Sequence, residues 1–169
     1  FIKLMNKKYN DIIFIFHSTR AQNELIQFYI KKSSLTNCEV ISDDKIKAHL
    51  LRKSIFAVAK SGTISLEICN AKIPSIILYK MNFINFLILK MLVKVKYANI
   101  INIAAKEEVI PELLQSKCNP KNIFKVVCDF LETPSKTEEQ IRKTQIILSR
   151  LKTYKSSTEL ASQALNRFI

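Results

Sequence analysis

Four short, almost uninterrupted apolar runs set the fold: Asp11-Ile12-Ile13-Phe14-Ile15-Phe16, Cys38-Glu39-Val40-Ile41, Ile55-Phe56-Ala57-Val58-Ala59 and Ser75-Ile76-Ile77-Leu78-Tyr79. A strand with one wet face alternates apolar and polar residues, whereas a strand covered on both faces of a parallel sheet reads as a continuous run. The spacers read as helices. Ala21 to Ile30 carries Leu25, Ile26, Phe28 and Tyr29 on a helical period, Asp43-Asp44 offers an N-cap to an Ile46-Leu50-Leu51 face, and a further helix runs from Thr63 to Ala71. Strand and helix in strict alternation predict a doubly wound parallel α/β layer.

Beyond Tyr79 the pattern turns mainly helical: Asn82 to Val93, a short segment Val109-Ile110-Pro111-Glu112-Leu113-Leu114-Gln115, then Pro120 to Leu131, Glu138 to Tyr154 and Ser157 to Ile169. Pro111 and Pro120 sit where a first helical turn tolerates proline, and Pro134 separates two helices. A length of 169 residues suits one domain with a real core. Within it we distinguish a βα core (1–80), a middle part with the apolar and basic segments (81–134) and closing helices (135–169). Because the chain starts at Phe1, in what reads as the second half of an uncapped amphipathic helix, it is expected to be a piece of something longer.

The formal net charge is +13, which favours anionic partners: nucleic acid, an anionic membrane surface or a phosphorylated ligand. The basic residues are dispersed, without a long Lys/Arg block or an aromatic-basic RNA motif, so nucleic acid ranks last of the three. Cys38, Cys69, Cys118 and Cys128 lie far apart, mostly among apolar neighbours, as reduced core thiols of a cytoplasmic protein do. His17 and His49 have no acid or thiol at ligand spacing, so no metal site is expected. No secretory signal is recognisable at Phe1. The most apolar window, Phe83 to Val93, is about half a bilayer-spanning helix and is broken by Asn85 and Lys90. It ends in Lys90, Lys94 and Lys96, which fits a helix lying on an anionic membrane and equally a core helix with a basic edge. Phe83, Phe86, Lys90, Lys94 and Lys96 are the candidate membrane-facing residues.

The single glycine, Gly62, stands in Ala59-Lys60-Ser61-Gly62-Thr63, between a strand-like run and a helical one. There the backbone must take φ > 0 or come close to something, so a plain βα turn and a phosphate-cradling loop both fit. In the second case the first amides of the helix face the carboxyl edge of the sheet, where a phosphate is favoured, and Ser61 and Thr63 add hydroxyls. Glu67 follows one turn deeper on the face of Thr63, where a carboxylate accepts hydrogen bonds from a sugar diol; the bland alternative is a solvated helix residue.

The run Ala57-Val58-Ala59-Lys60-Ser61-Gly62-Thr63-Ile64-Ser65-Leu66-Glu67, followed by Ala71-Lys72-Ile73-Pro74 and Tyr79-Lys80-Met81, resembles the C-terminal half of lipid-A-disaccharide synthase. Leu92-Val93-Lys94-Val95-Lys96-Tyr97 is similar to that family's Leu-Val-Lys-x-x-Tyr, Asn102 falls at the Asn of its Pro-Asn motif, and Pro111-Glu112-Leu113-Leu114-Gln115 matches almost letter for letter. The likeness is densest from Ala57 to Gln115. Two departures stand out: Ile101 replaces the proline before Asn102, and Lys106-Glu107 replaces a Gly-Arg pair, so a positive side chain expected near the donor is moved or lost.

The resemblance implies the C-terminal domain of a GT-B fold, a Rossmann-like doubly wound parallel sheet with a helical C-terminal tail. It implies an inverting glycosyltransferase of Gram-negative bacteria that moves 2,3-diacylglucosamine from its UDP form onto 2,3-diacylglucosamine 1-phosphate, with no metal or cofactor. Ser61, Gly62 and Thr63 would meet the diphosphate, Glu67 the ribose, and Asn102 and Gln115 would lie close to the donor. The acceptor domain, with the acid/base residues, would lie outside these 169 residues, so the isolated chain is expected to be inactive. The implied place is the cytoplasmic face of the inner membrane, with a homodimer compatible. A non-catalytic UDP-sugar- or membrane-binding module and a basic nucleic-acid-binding domain are the readings from other classes.

Overall fold

The computed structural model describes residues 1–82 and 96–151 together with residues 158, 162 and 165. In chain order the elements are α1 (Ile2–Asn6), β1 (Phe14–His17), α2 (Arg20–Lys32), β2 (Cys38–Ile41), α3 (Asp44–Lys53), β3 (Ala57–Ala59), α4 (Thr63–Asn70), β4 (Ser75–Tyr79), α5 (Ile100–Ala105), β5 (Glu112–Leu114), a 3-10 turn (Gln115–Lys117), α6 (Pro120–Glu132) and α7 (Pro134–Leu151). All strand pairing is parallel, as the continuous apolar runs require. Hydrogen bonds group the strands as β1-β2 and as β3-β4-β5, with Ile77 opposite Glu112 across the second pair of the larger sheet.

Strand β4 is the centre of the molecule. Its neighbours Ile76 and Ile77 are both 0% exposed, and because successive strand residues point to opposite faces, each anchors a different core. Ile77 packs with Cys69 of α4, Ile101 of α5 and Ile147 and Leu148 of α7. Ile76 packs with Met5 of α1, Leu113 of β5 and Ile123, Val127 and Cys128 of α6. Helices thus cover both faces of β4, the doubly wound arrangement, whereas Val58 of β3 and Ile15 of β1 stay exposed, so the expected cover on both faces does not extend to those strands.

Polar ties fix these layers. Gln140 of α7, 4% exposed, accepts from the Ser75 N–H at 2.7 Å and donates to the Ser75 carbonyl at 3.0 Å, which pins α7 to the start of β4. On the other face the Tyr9 hydroxyl donates to Glu132 at 2.6 Å, and Lys8 pairs with the same carboxylate, which clamps α1 to α6. Helix starts follow their caps: Asp43 accepts from the N–H groups of Lys45 and Ile46, and Asn119 accepts from that of Asn122 with Pro120 just inside α6.

Two expectations need correction, and one helix was not expected. Val109 to Gln115 is not helical: it carries β5, which exists because β4 offers it a ladder. Ile100–Ala105 is a helix that the apolar pattern did not reveal. Helix α7 begins at Pro134 rather than Glu138. The expected helix from Asn82 to Val93, with Phe83, Phe86, Lys90 and Lys94, lies outside the described residues, as does most of Ser157 to Ile169. No helix among the described residues is long and apolar enough to cross a membrane.

Candidate functional site

The three loops that leave the carboxyl ends of β3, β4 and β5 share one edge of the sheet, the side where open α/β sheets take ligands. Gly62, the residue before α4, has φ 154 and ψ −167, a conformation open to glycine and costly for any residue with a Cβ. Among the described residues nothing lies within 4 Å of where a Cβ would stand, so the glycine serves the backbone path rather than a close approach. The loop is held from beneath. The Ser65 hydroxyl and N–H both reach back to the Gly62 carbonyl, at 2.6 and 3.1 Å, which turns that carbonyl into the helix. Among the described residues no side chain caps the start of α4, and Thr63 is exposed. A helix start without a side-chain cap suits an anion.

Ser61 behaves differently from the expectation that its hydroxyl faces a ligand. It donates to the Ala98 carbonyl at 2.6 Å and so fastens the glycine loop to the segment ahead of α5. That segment is fastened in turn by Glu112, 8% exposed, whose two oxygens accept from the N–H groups of Ala98 at 2.8 Å and Asn99 at 2.9 Å.

Asn102 completes the knot. It is 0% exposed, its amide donates to the Ile110 carbonyl at 2.7 Å and to Glu112 at 2.8 Å, and its oxygen accepts from Val109 and Ile110 at 2.9 and 2.8 Å. Two donors and two acceptor positions are the whole capacity of an amide side chain, so the structure places Asn102 beneath the surface with every bond satisfied internally. Asn99, the N-cap of α5, accepts from Ile101 at 2.9 Å, and its buried Nδ2 is without a hydrogen-bond partner among the described residues.

Gln115 forms a separate contact. Its oxygen accepts from the Met81 N–H at 2.8 Å and its amide donates to the Met81 carbonyl at 3.2 Å, which extends the β4-β5 pairing past the strand ends. Beside it is an open hollow of about 380 Å³ lined by Lys80, Met81, Gln115, Ser116, Cys118 and Asn119. Lys60 and Tyr79 close the gap between the two loops, with the ammonium 5.2 Å from the ring centroid.

Glu67, half-exposed on α4, makes its ion pair with α3. Its Oε2 lies 2.9 Å from Lys47 Nζ, which also reaches Asp44 at 3.1 Å, and His17 Nε2 is 3.5 Å from the same aspartate. Hydrogen bonds to Glu67 and Asp44 raise the Lys47 pKa, and Lys47 holds the Asp44 carboxyl below its ordinary value. Burial pushes the Cys69 thiol up to about 11, so this cysteine packs rather than reacts. Among the described residues no group of three His, Cys, Asp or Glu side chains is placed to hold a metal ion. Lys96, exposed and stacked against the ring of Tyr97, is the one candidate membrane-facing residue that is described.

Residues 1–167 match the family model described as Lipid-A-disaccharide synthetase. The chain belongs to the lipid-A-disaccharide synthase family. It is 33% identical over 150 residues to a lipid-A-disaccharide synthase of Rickettsia prowazekii, covering 89% of this chain and 39% of that protein. A lipid-A-disaccharide synthase of Rickettsia canadensis is 38% identical over 113 residues, 67% of this chain and 29% of that protein. The chain therefore spans well under half the length of these curated relatives.

The backbone gives one departure a physical setting. Lys106, where the resemblance to lipid-A-disaccharide synthases leads one to expect glycine, sits at the end of α5 with φ 59, a left-handed position that glycine takes freely. Its neighbour Glu107, where the same resemblance leads one to expect arginine, is 3.3 Å from Lys143 of α7. Lys47, Ser65, Glu112 and the Met81 backbone were not singled out from sequence. Of these only Ser65, three residues after Gly62 at the spacing of a helix-start tie, carried a local signal.

Proposed function

We propose that this chain is the sugar-nucleotide-binding part of a lipid-A-disaccharide synthase, a hexosyltransferase of lipid A biosynthesis. The donor is UDP-2,3-diacylglucosamine, the acceptor is 2,3-diacylglucosamine 1-phosphate, and the products are the tetraacyl disaccharide 1-phosphate and UDP. The observation that carries this reading is the start of α4 at Gly62, on the carboxyl edge of the sheet, which among the described residues has no side-chain cap and nothing within 4 Å of a Cβ on the glycine; Glu67 follows one turn along the helix. The diphosphate sits on the amides of Thr63 and Ile64, whose partial positive charge stabilises the leaving UDP without a metal. Glu67 takes the ribose hydroxyls through its carboxylate. Asn102 and Glu112 act from below by holding Ala98 and, through Ser61, the glycine loop; Gln115 holds the Lys80-Met81 segment at the edge of the site. With a net charge of +13, the protein works at the anionic inner-membrane surface where its acylated substrates reside.

Calorimetric titration of the chain with UDP tests this. Saturable binding is expected, weakened about tenfold by Glu67→Gln and also weakened by Gly62→Ala. Salt-sensitive binding of any polyanion, indifferent to both substitutions, would instead mark a nucleic-acid-binding domain.

A further inference from the structure

The charge pair between α3 and α4 adds a residue to the site. We infer that Lys47 is a positioning residue that orients the Glu67 carboxylate for a ribose diol and so sets the preference for ribonucleotides over 2′-deoxyribonucleotides. This rests on the donor-site reading above. Lys47 and Glu67 lie on different helices, and their 2.9 Å contact bridges Oε2 alone, leaving Oε1 without a protein partner among the described residues. An exposed glutamate on a helix samples several rotamers. One tethered through one oxygen presents the other in a fixed direction, ready to accept from a hydroxyl.

The tether is itself secured. Lys47 has a side chain only 15% exposed, and Asp44, one turn earlier on α3, holds the ammonium from the other side at 3.1 Å. Asp44 belongs to the first turn of a helix whose N-cap is Asp43, so its place is set by the helix start rather than by the ligand. The ammonium shared by two carboxylates is favoured in its charged form, and the tether persists through neutral pH. Among the described residues the further titratable group in contact with this cluster is His17, which touches Asp44 and not Glu67. A carboxylate aimed in advance loses less freedom when the diol arrives, and that gain belongs only to ligands that have the diol.

The test compares UDP with 2′-deoxy-UDP on the full chain and on Lys47→Met and Lys47→Arg, with thermal melting as a control for folding. The wild-type chain is expected to bind UDP about tenfold more tightly than 2′-deoxy-UDP. Lys47→Met should weaken UDP to near the 2′-deoxy-UDP value while leaving 2′-deoxy-UDP unchanged, and Lys47→Arg should restore most of the preference. Equal weakening of both ligands by Lys47→Met, or no change in either, overturns the inference while leaving the donor site standing. Failure of the wild-type chain to bind UDP overturns the donor-site reading, and this inference with it.

Discussion

The two sheets of this protein are built to different standards. Around β3-β4-β5, helices α4 to α7 and α1 bury both faces of the central strand, and Ile76, Ile77, Ile101 and Ile110 are fully enclosed. Around β1-β2 neither α2 nor α3 has a buried residue, and Leu25, Phe28 and Tyr29 are each 56% exposed. The proposed site spans that contrast. Its glycine loop and its Asn102-Glu112 knot stand on the well-packed part, whereas Lys47, which ties Glu67, is supplied by the sparsely packed part. Stability therefore resides in one region and the electrostatic adjustment of the site in the other. Sub-global opening of α2 and α3 would release the tether without disturbing the loop.

Substitutions that separate the two regions check this. Ile77→Ala, in the centre of the larger sheet, should cost about 2–5 kcal/mol in urea unfolding, against within about 0.5 kcal/mol for Leu25→Ala; comparable losses at both positions would erase the contrast. Asn102→Ala should cost about 1–3 kcal/mol, because it strands the buried N–H groups of Val109 and Ile110, and should loosen the glycine loop in hydrogen exchange. Lys106→Gly should stabilise by about 1 kcal/mol by relieving the left-handed turn after α5, measurable as a higher Tm.

The smallest effect is electrostatic. Lys47 depresses the Asp44 pKa, so the stabilisation from this pair is present above the ordinary carboxylate range and is lost as pH falls through the lowered folded value. In Lys47→Met the Asp44 titration, followed by carbon NMR, should move back up to the ordinary range. An unmoved titration would show that Lys47 does not pair with Asp44 in solution.

How far the sequence reveals this depends on how local each cause is. Gly62 was legible as the strand-to-helix turn because a lone glycine there supplies the positive φ, and Asp43 because an N-cap is a nearest-neighbour matter. The strand Glu112–Leu114 was not, since three residues carry no period and the ladder that defines them comes from β4. The Asn99 cap at the start of α5 is a local signal of the same kind. Asn102 was placed near the donor by family resemblance, and only the fold shows its amide saturated from within. The Lys47–Glu67 contact joins residues of two helices packed side by side, a pairing with no sequence signature.

The most direct test of the central claim is a nitrogen-15-resolved titration of the chain with UDP at physiological salt. Saturable shifts that are largest at the amides of Gly62, Thr63 and Ile64, extend to Glu67 and vanish with uridine in place of UDP at these loop amides are the expected result. Shifts scattered over lysine-bearing surfaces and abolished by added salt, with the Gly62 loop unmoved, would contradict a sugar-nucleotide site on this edge of the sheet.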